Sequence, residues 1–151
     1  MPAKEIPQSM IDMLEYTEED IKSLTKKQRE VLCAGEDMFN YKMIAEVVTA
    51  SHCGYKPKIG DRWVFSPAGI IIPEECTWPL CVWGITPMQP FFYMFYDRIR
   101  LGLDPSDMWT ENIKCLDIDT HCGGFGEVLF KISFEKIDEE EKMKILQSLL
   151  K

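Results

Sequence analysis

The segment Glu127–Glu135 alternates apolar and polar side chains more regularly than any other part of the chain. Val128, Phe130, Ile132 and Phe134 fall on one face, whereas Leu129, Lys131, Ser133 and Glu135 fall on the other. Successive side chains of a β-strand point to opposite faces of its sheet. The segment therefore predicts a strand in a sheet with one covered face, and this is the strongest constraint on the fold.

A second constraint is the aromatic run from Phe91 to Leu101. Pro90 suits the first turn of a helix and Gly102 suits its end. The aromatic content exceeds what a thin surface stripe requires, so we expect a central, mostly buried helix.

Further strands are predicted on both sides of this helix. Tyr41–Ala50 and Arg62–Phe65 are rich in β-branched and aromatic residues. Ile113–Ile118 predicts another strand, joined to Glu127–Glu135 by the glycine-rich loop 119–126 as a hairpin.

The two ends of the chain predict helices. Ser9 is expected to cap a short helix over Met10–Leu14, Thr17 to open a longer one that ends at Gly35, and Asp138 to cap a last helix. The apolar stripe of that last helix consists of Met143, Leu146, Leu149 and Leu150. Because a chain of this size does not fully cover such stripes by itself, we expect self-association, with a dimer as the default.

These elements predict an α+β domain: a small, mainly antiparallel sheet of about four strands around an aromatic central helix, with flanking N- and C-terminal helices. We expect a single domain over residues 1–151, which is long enough to bury roughly 70% of the surface of the unfolded chain. Its parts are a helical extension at 1–40, an α+β unit at 41–137 and the last helix at 138–151.

Charge and hydropathy exclude several classes of partner. The net charge of −8 argues against nucleic acid and against membrane surfaces, because clustered Lys and Arg supply the affinity for phosphate. No stretch approaches the ~18 apolar residues of a membrane span, and the N-terminus lacks the apolar core of a secretory signal. We expect a soluble, cytoplasmic protein.

The tripeptide His-Cys-Gly occurs at 52–54 and again at 121–123, and the two copies contain both histidines of the chain. Four further cysteines bring the total to six. In a reducing compartment thiols stay free and serve metal binding, catalysis or simple burial.

One hypothesis is a metalloprotein with a zinc or iron site, because thiolate and imidazole suit both metals. Its candidate ligands are His52, Cys53, Cys81, Cys115, His121 and Cys122. An antiparallel sheet can bring them to one edge, although the Cys-x-x-Cys spacing of structural zinc sites is absent from the sequence. The metal would polarise a substrate oxygen or activate water, with His121 transferring protons if it is not itself a ligand.

Another hypothesis is a cysteine-dependent enzyme. A cysteine such as Cys122 would be the nucleophile or a redox thiol, with His121 or His52 as base and Asp61 or Asp119 orienting the base. Adjacent residues of an extended segment point in opposite directions, so each histidine is expected to serve the cysteine of the other loop.

Aromatic residues offer a further hypothesis, a pocket for an apolar small molecule. Its candidates are Trp78, Trp83, Tyr93, Tyr96 and Trp109, with Arg98 or Arg100 available for a carboxylate. An aromatic stripe at helical spacing is also typical of a core or a subunit interface. A non-catalytic binding or accessory protein with structurally buried cysteines therefore stays an alternative.

The middle of the chain resembles a family of small bacterial and archaeal cysteine-containing "repeat proteins" of unknown activity. The resemblance starts at Cys53, followed by Gly60-Asp61 and an aromatic strand, continues through Cys81-Val82-Trp83 and Cys115, and closes with Phe130–Glu135. It covers about residues 41 to 137 and implies no function. It does imply that Cys53, Cys81 and Cys115 belong to one spatial set.

Overall fold

The computed structural model describes residues 5–149, with side chains up to Gln147. Its centre is a four-stranded antiparallel sheet in the order β2-β1-β4-β3. The strands are β1 (Tyr41–Ser51), β2 (Arg62–Phe65), β3 (Asn112–Lys114) and β4 (Glu127–Lys136). The predicted α+β class and the predicted antiparallel sheet are confirmed.

The longest pairing joins β1 to β4, and it sets which side chains enter the core. Ala45 faces Ile132 and Val47 faces Phe130, and all four side chains are buried. The register shifts between Val47 and Thr49, where β1 carries a bulge. The alternation read from Glu127–Glu135 therefore gives one apolar face, as predicted.

That face is covered by a helix that runs on from residue 82 to residue 100. It consists of α5 (Val82–Ile85), a 3₁₀ turn (Thr86–Met88) and α6 (Gln89–Arg100). Phe91, Phe95 and Ile99 are buried at successive fourth positions, whereas Tyr93 is exposed. The helix is thus buried along one side, and it begins eight positions before the predicted Pro90 start because the turn at 86–88 continues α5 into α6.

The N-terminal helices are α1 (Gln8–Met13), α2 (Glu18–Ser23), α3 (Lys26–Cys33) and α4 (Gly35–Met38). The prediction of one long helix from Thr17 to Gly35 is wrong. Leu24 has extended backbone, and the hydroxyl of Thr25 accepts a hydrogen bond from the Gln28 N–H, so a second capping box restarts the chain as α3. Thr17 caps α2 as predicted, whereas α1 begins at Gln8 after Pro7 instead of after Ser9.

The C-terminal helix α7 (Glu139–Leu149) begins as predicted after Asp138, whose side chain accepts a hydrogen bond from the Glu141 N–H. Ile145 and Leu146 pack into a cluster with Met10, Phe39 and Ile137. The predicted stripe residue Leu150 lies outside the described residues, as does the side chain of Leu149. Of the described stripe residues, Leu146 is half-buried and Met143 is 49% exposed, and the predicted dimer stays a prediction.

A buried lysine ties α7 to the sheet. Lys42 of β1 is 7% exposed, and its ammonium group contacts Glu75 at 2.8 Å and Glu141 at 2.9 Å. Because a buried charge requires partners, this contact fixes how α7 lies against β1. Within residues 5–149, no helix combines the length and the apolar character needed to cross a membrane.

Candidate functional site

The candidate site lies at one end of the sheet. There β1 ends and β4 begins, since Ser51 pairs with Glu127, and β3 ends close by, since Lys114 pairs with Leu129. The N-terminus of the central helix reaches the same place, because the Leu116 N–H donates to the Trp83 carbonyl at 2.8 Å. β3 ends at Lys114 and not at the predicted Ile118, since the Leu116 N–H donates to Trp83 instead of to β4.

A cavity of about 170 Å³ opens between these elements. Three of its lining residues are cysteines: Cys53, Cys81 and Cys115. Its aromatic lining consists of Tyr55, Trp78, Trp83, Phe125 and Phe130. The ionisable residues of its lining, apart from the thiols and Tyr55, are His52, Asp117 and Glu127. The structure thus brings together the three cysteines that the family resemblance places in one spatial set.

Stacked aromatic rings form the floor of the cavity. Trp63 stacks on Trp78 and on Phe130, with ring centroids 4.9 Å apart in each case, and its indole N–H donates to the Trp78 carbonyl at 3.0 Å. Gly84 permits this packing, because a Cβ atom there would lie 2.5 Å from the Trp63 ring. The indole N–H of Trp78 donates to the Tyr55 carbonyl at 3.3 Å, which holds the 52–55 turn over the floor.

The three cavity thiols differ in their hydrogen bonds. Cys115 Sγ accepts from the Val128 N–H at 3.2 Å and lies 3.7 Å from the Asp117 carbonyl, to which it donates. This thiol extends the β3–β4 pairing beyond the last strand residue. The thiols of Cys53 and Cys81 are half-buried and have no hydrogen-bond partner among the described residues.

The backbone at His52 places two adjacent residues at the cavity. His52 has a φ of 53°, in the left-handed region that non-glycine residues rarely adopt. This turn ends the strand alternation, so His52 and Cys53 both line the cavity. The side chains of these neighbours still have different surroundings, because Cys53 packs against the main core cluster whereas the His52 side chain is 72% exposed. Gly126 is required beside them, because a Cβ atom there would lie 2.7 Å from the His52 carbonyl carbon and oxygen.

The loop between β3 and β4 is built around the carboxylate of Asp117. That carboxylate accepts hydrogen bonds from the N–H groups of Phe125 at 2.9 Å, Gly126 at 3.0 Å and Asp119 at 3.3 Å. The Phe125 N–H is the largest of the causes that hold the pKa of Asp117 below its ordinary value. The backbone N–H groups of the loop thus surround the carboxylate of its own residue Asp117.

Asp119 of the same loop reaches the rim of the cavity. Its carboxylate lies 3.8 Å from His52 Nδ1, and Asp119 itself has a φ of 62°. The Thr120 N–H lowers the pKa of Asp119 most, and the nearby imidazoles of His52 and His121 lower it further whenever they are protonated. Two non-glycine residues with left-handed backbone are therefore in contact here, one of them lining the cavity, and such outliers concentrate at functional sites.

The remaining predicted catalytic residues lie outside the cavity lining. His121 and Cys122 occupy a 3₁₀ turn (Thr120–Cys122) and are exposed. Asp61 accepts hydrogen bonds from the Lys58 N–H and the Thr77 hydroxyl, so its carboxylate holds the turn before β2. The structure pairs Asp119 with His52, which is one of the pairings that the sequence left open.

The predicted metal ligands are divided in the same way. His52, Cys53, Cys81 and Cys115 line the cavity, whereas His121 and Cys122 do not. Among residues 5–149, no three His, Cys, Asp or Glu side chains form a group arranged to hold a metal ion. The zinc or iron site stays a prediction, which elemental analysis of anaerobically purified protein tests.

The predicted aromatic pocket is divided as well. Trp78 and Trp83 line the cavity, but Tyr93 is 64% exposed and the Tyr96 hydroxyl donates to the Pro67 carbonyl at 2.7 Å. Arg98 donates to the Asp104 carbonyl and Arg100 pairs with Asp97 and Glu30. Trp109 is 94% exposed. The predicted pocket residues of α6 are thus absent from the lining that contains Trp78 and Trp83.

Lining residues that sequence reasoning did not name for the site include Tyr55, Gly84, Asp117, Phe125 and Gly126. The glycine-rich stretch after Cys122 was a signal for the loop, because closely spaced glycines permit close backbone approach. The role of Asp117 depends on N–H groups eight and nine positions later, and no local pattern announces it.

Comparisons with protein-family models, with curated proteins and with solved structures find no match to this chain. The family resemblance therefore stays a prediction, and the function is argued from the geometry of the cavity.

Proposed function

We propose that the protein binds a small, mainly apolar organic molecule in the thiol-lined cavity. The observation that carries this proposal is that Cys53, Cys81 and Cys115, distant in sequence, line one cavity whose other walls are largely aromatic. Small-molecule sites are typically concave and apolar, with a few polar groups that fix the orientation of the ligand.

The cavity volume restricts the ligand to about one ring. An apolar cavity of about 150 Å³ takes up benzene, and the cavity here measures about 170 Å³. Trp83 is 59% exposed and Phe125 is 82% exposed at the mouth, so both rings can close over a bound molecule.

The lining also indicates where a polar group of the ligand lies. The Asp117 carboxylate is occupied by backbone N–H groups, and Glu127 pairs with Lys114. His52 stands at the rim with an exposed side chain. A ligand with an apolar body and one polar group is therefore expected to direct that group toward His52.

The proposal is tested with cyclohexanone and phenol as ring-sized probes. Binding is measured by quenching of tryptophan fluorescence and by ligand-observed NMR. Cys81→Leu fills part of the cavity and is expected to weaken binding at least tenfold, the equivalent of about 1.4 kcal/mol. Cys122→Leu makes the same change outside the cavity and is expected to leave the affinity unchanged.

Circular dichroism and thermal unfolding of both variants establish that they fold. Equal affinity of Cys81→Leu and Cys122→Leu for the probes would contradict the proposal, as would failure of the wild-type protein to bind either probe.

A further inference from the structure

The cavity contains nucleophiles that its packing does not use. Cys115 is held by two backbone groups, whereas the thiols of Cys53 and Cys81 lack hydrogen-bond partners among the described side chains and backbone groups. Both residues also pack against the main core cluster, so their positions are fixed. No hydrogen bond within the described residues therefore has to break before either thiol reacts.

An imidazole belongs to the same cavity. His52 is among the residues that line it, and its Nδ1 lies 3.8 Å from the Asp119 carboxylate. A thiol, an imidazole and a carboxylate that orients the imidazole are the groups used in cysteine-based nucleophilic chemistry. The left-handed backbone at both His52 and Asp119 costs free energy, and function is the usual reason for retaining such strain.

Building on the proposed function, we infer that the ligand is an α,β-unsaturated carbonyl compound of about one ring, which a thiol of Cys53 or Cys81 captures covalently while His52 carries the proton. Conjugate addition suits these groups because it requires a nucleophile and a proton carrier and expels no leaving group. The aromatic walls hold the ring, and the carbonyl oxygen points to the rim.

The step balances without a further reactant. His52 takes the proton from the thiol, and the sulfur forms a bond to the β-carbon of the ligand. The carbon–carbon π bond breaks and its electron pair moves to the α-carbon through the enolate. The imidazolium then returns the proton to the α-carbon, so the product is the sum of protein and ligand.

The test uses 2-cyclohexenone as the probe and cyclohexanone as its unreactive partner of the same size. Intact-protein mass spectrometry is expected to show one rapid addition, which peptide mapping assigns to Cys53 or Cys81. Excess cyclohexanone is expected to slow it. The double variant C53S/C81S is expected to lose the rapid addition, whereas Cys122→Ser keeps it.

The role of His52 has its own readout. Asn adopts left-handed backbone more readily than most residues, so His52→Asn preserves the turn. It is expected to slow the addition at least tenfold, as removal of a general base does.

The outcomes separate the two proposals. If cyclohexanone binds but 2-cyclohexenone adds only to Cys122 or adds equally to the double variant, the covalent step is overturned and the binding function stands. If cyclohexanone does not bind and does not protect, both proposals fall. An unchanged rate in His52→Asn overturns the assignment of the proton carrier.

Discussion

The two His-Cys-Gly segments have the same three residues and different surroundings. In the first, His52 and Cys53 follow the end of β1 and both line the cavity, and Cys53 packs against the main core cluster. In the second, His121 and Cys122 lie in an exposed turn. The comparison teaches that the same three residues contribute to a cavity only where the fold places them against other elements.

The difference follows from what precedes each segment. The first continues a strand of eleven residues that pairs on both sides, so its position is set by the sheet. The second lies within a loop whose shape comes from the Asp117 carboxylate. The loop still contributes to the first site, because Asp119 reaches His52 and Gly126 packs on the backbone of His52.

Gly126→Ala is expected to have the largest effect on this arrangement. The added methyl group would meet the backbone of His52, which cannot move without disturbing the end of β1. We expect the free energy of unfolding to fall by about 3 kcal/mol, at the upper end for overpacking. Urea unfolding monitored by tryptophan fluorescence measures it.

The matched control is Gly54→Ala in the first His-Cys-Gly segment. A Cβ atom at Gly54 would meet nothing within 4 Å, so the change is expected to stay within about 0.5 kcal/mol. A loss at Gly54 as large as the loss at Gly126 would contradict the view that contact with His52 fixes the site.

Removing single thiols gives a smaller contrast. Cys115→Ala leaves the Val128 N–H without its acceptor and is expected to cost about 1–2 kcal/mol of unfolding free energy. Cys122→Ala removes an exposed side chain and is expected to cost less than about 0.5 kcal/mol. Thermal unfolding of the two variants side by side measures the difference, and equal losses would show that burial in the site does not distinguish the thiols.

The fold was predictable because its main signals are periodic. Alternation in Glu127–Glu135 gave β4, and Arg62–Phe65 was predicted with the observed bounds of β2. The break at Leu24 was missed because the apolar side of the predicted helix continued across it, while Thr25 supplied a second cap. Local capping competes with helical periodicity, and here the cap prevailed.

The sequence indicated which residue types could form a site, but not which of those residues lie together in the fold. Cys53, Cys81 and Cys115 line one cavity, and their division from His121 and Cys122 depends on tertiary placement. The left-handed backbone at His52 ends the extended strand, and nothing in the residue types of that segment demands it. Long-range hydrogen bonds to Asp117 set the rest.

The smallest expected effect is a local response of the second loop to acid. The pKa of Asp117 is lowered from its ordinary value of 3.8, chiefly by the Phe125 N–H. A lowered pKa means that the stabilisation is fully present above 3.8 and is lost as the pH falls through the lower value of the folded protein. Below that value the N–H groups of Phe125 and Gly126 are expected to exchange faster with solvent, as measured by ¹⁵N-resolved NMR.

The control is the Lys56 N–H, which donates to the Cys53 carbonyl beside the first His-Cys-Gly segment and involves no carboxylate. Its exchange is expected to stay unchanged over the same range, and Asp117→Asn is expected to remove the acid response of the loop. If acid released all three N–H groups together, the two segments would form one cooperative unit, and the distinction between a sheet-held and a carboxylate-held copy of the motif would be lost.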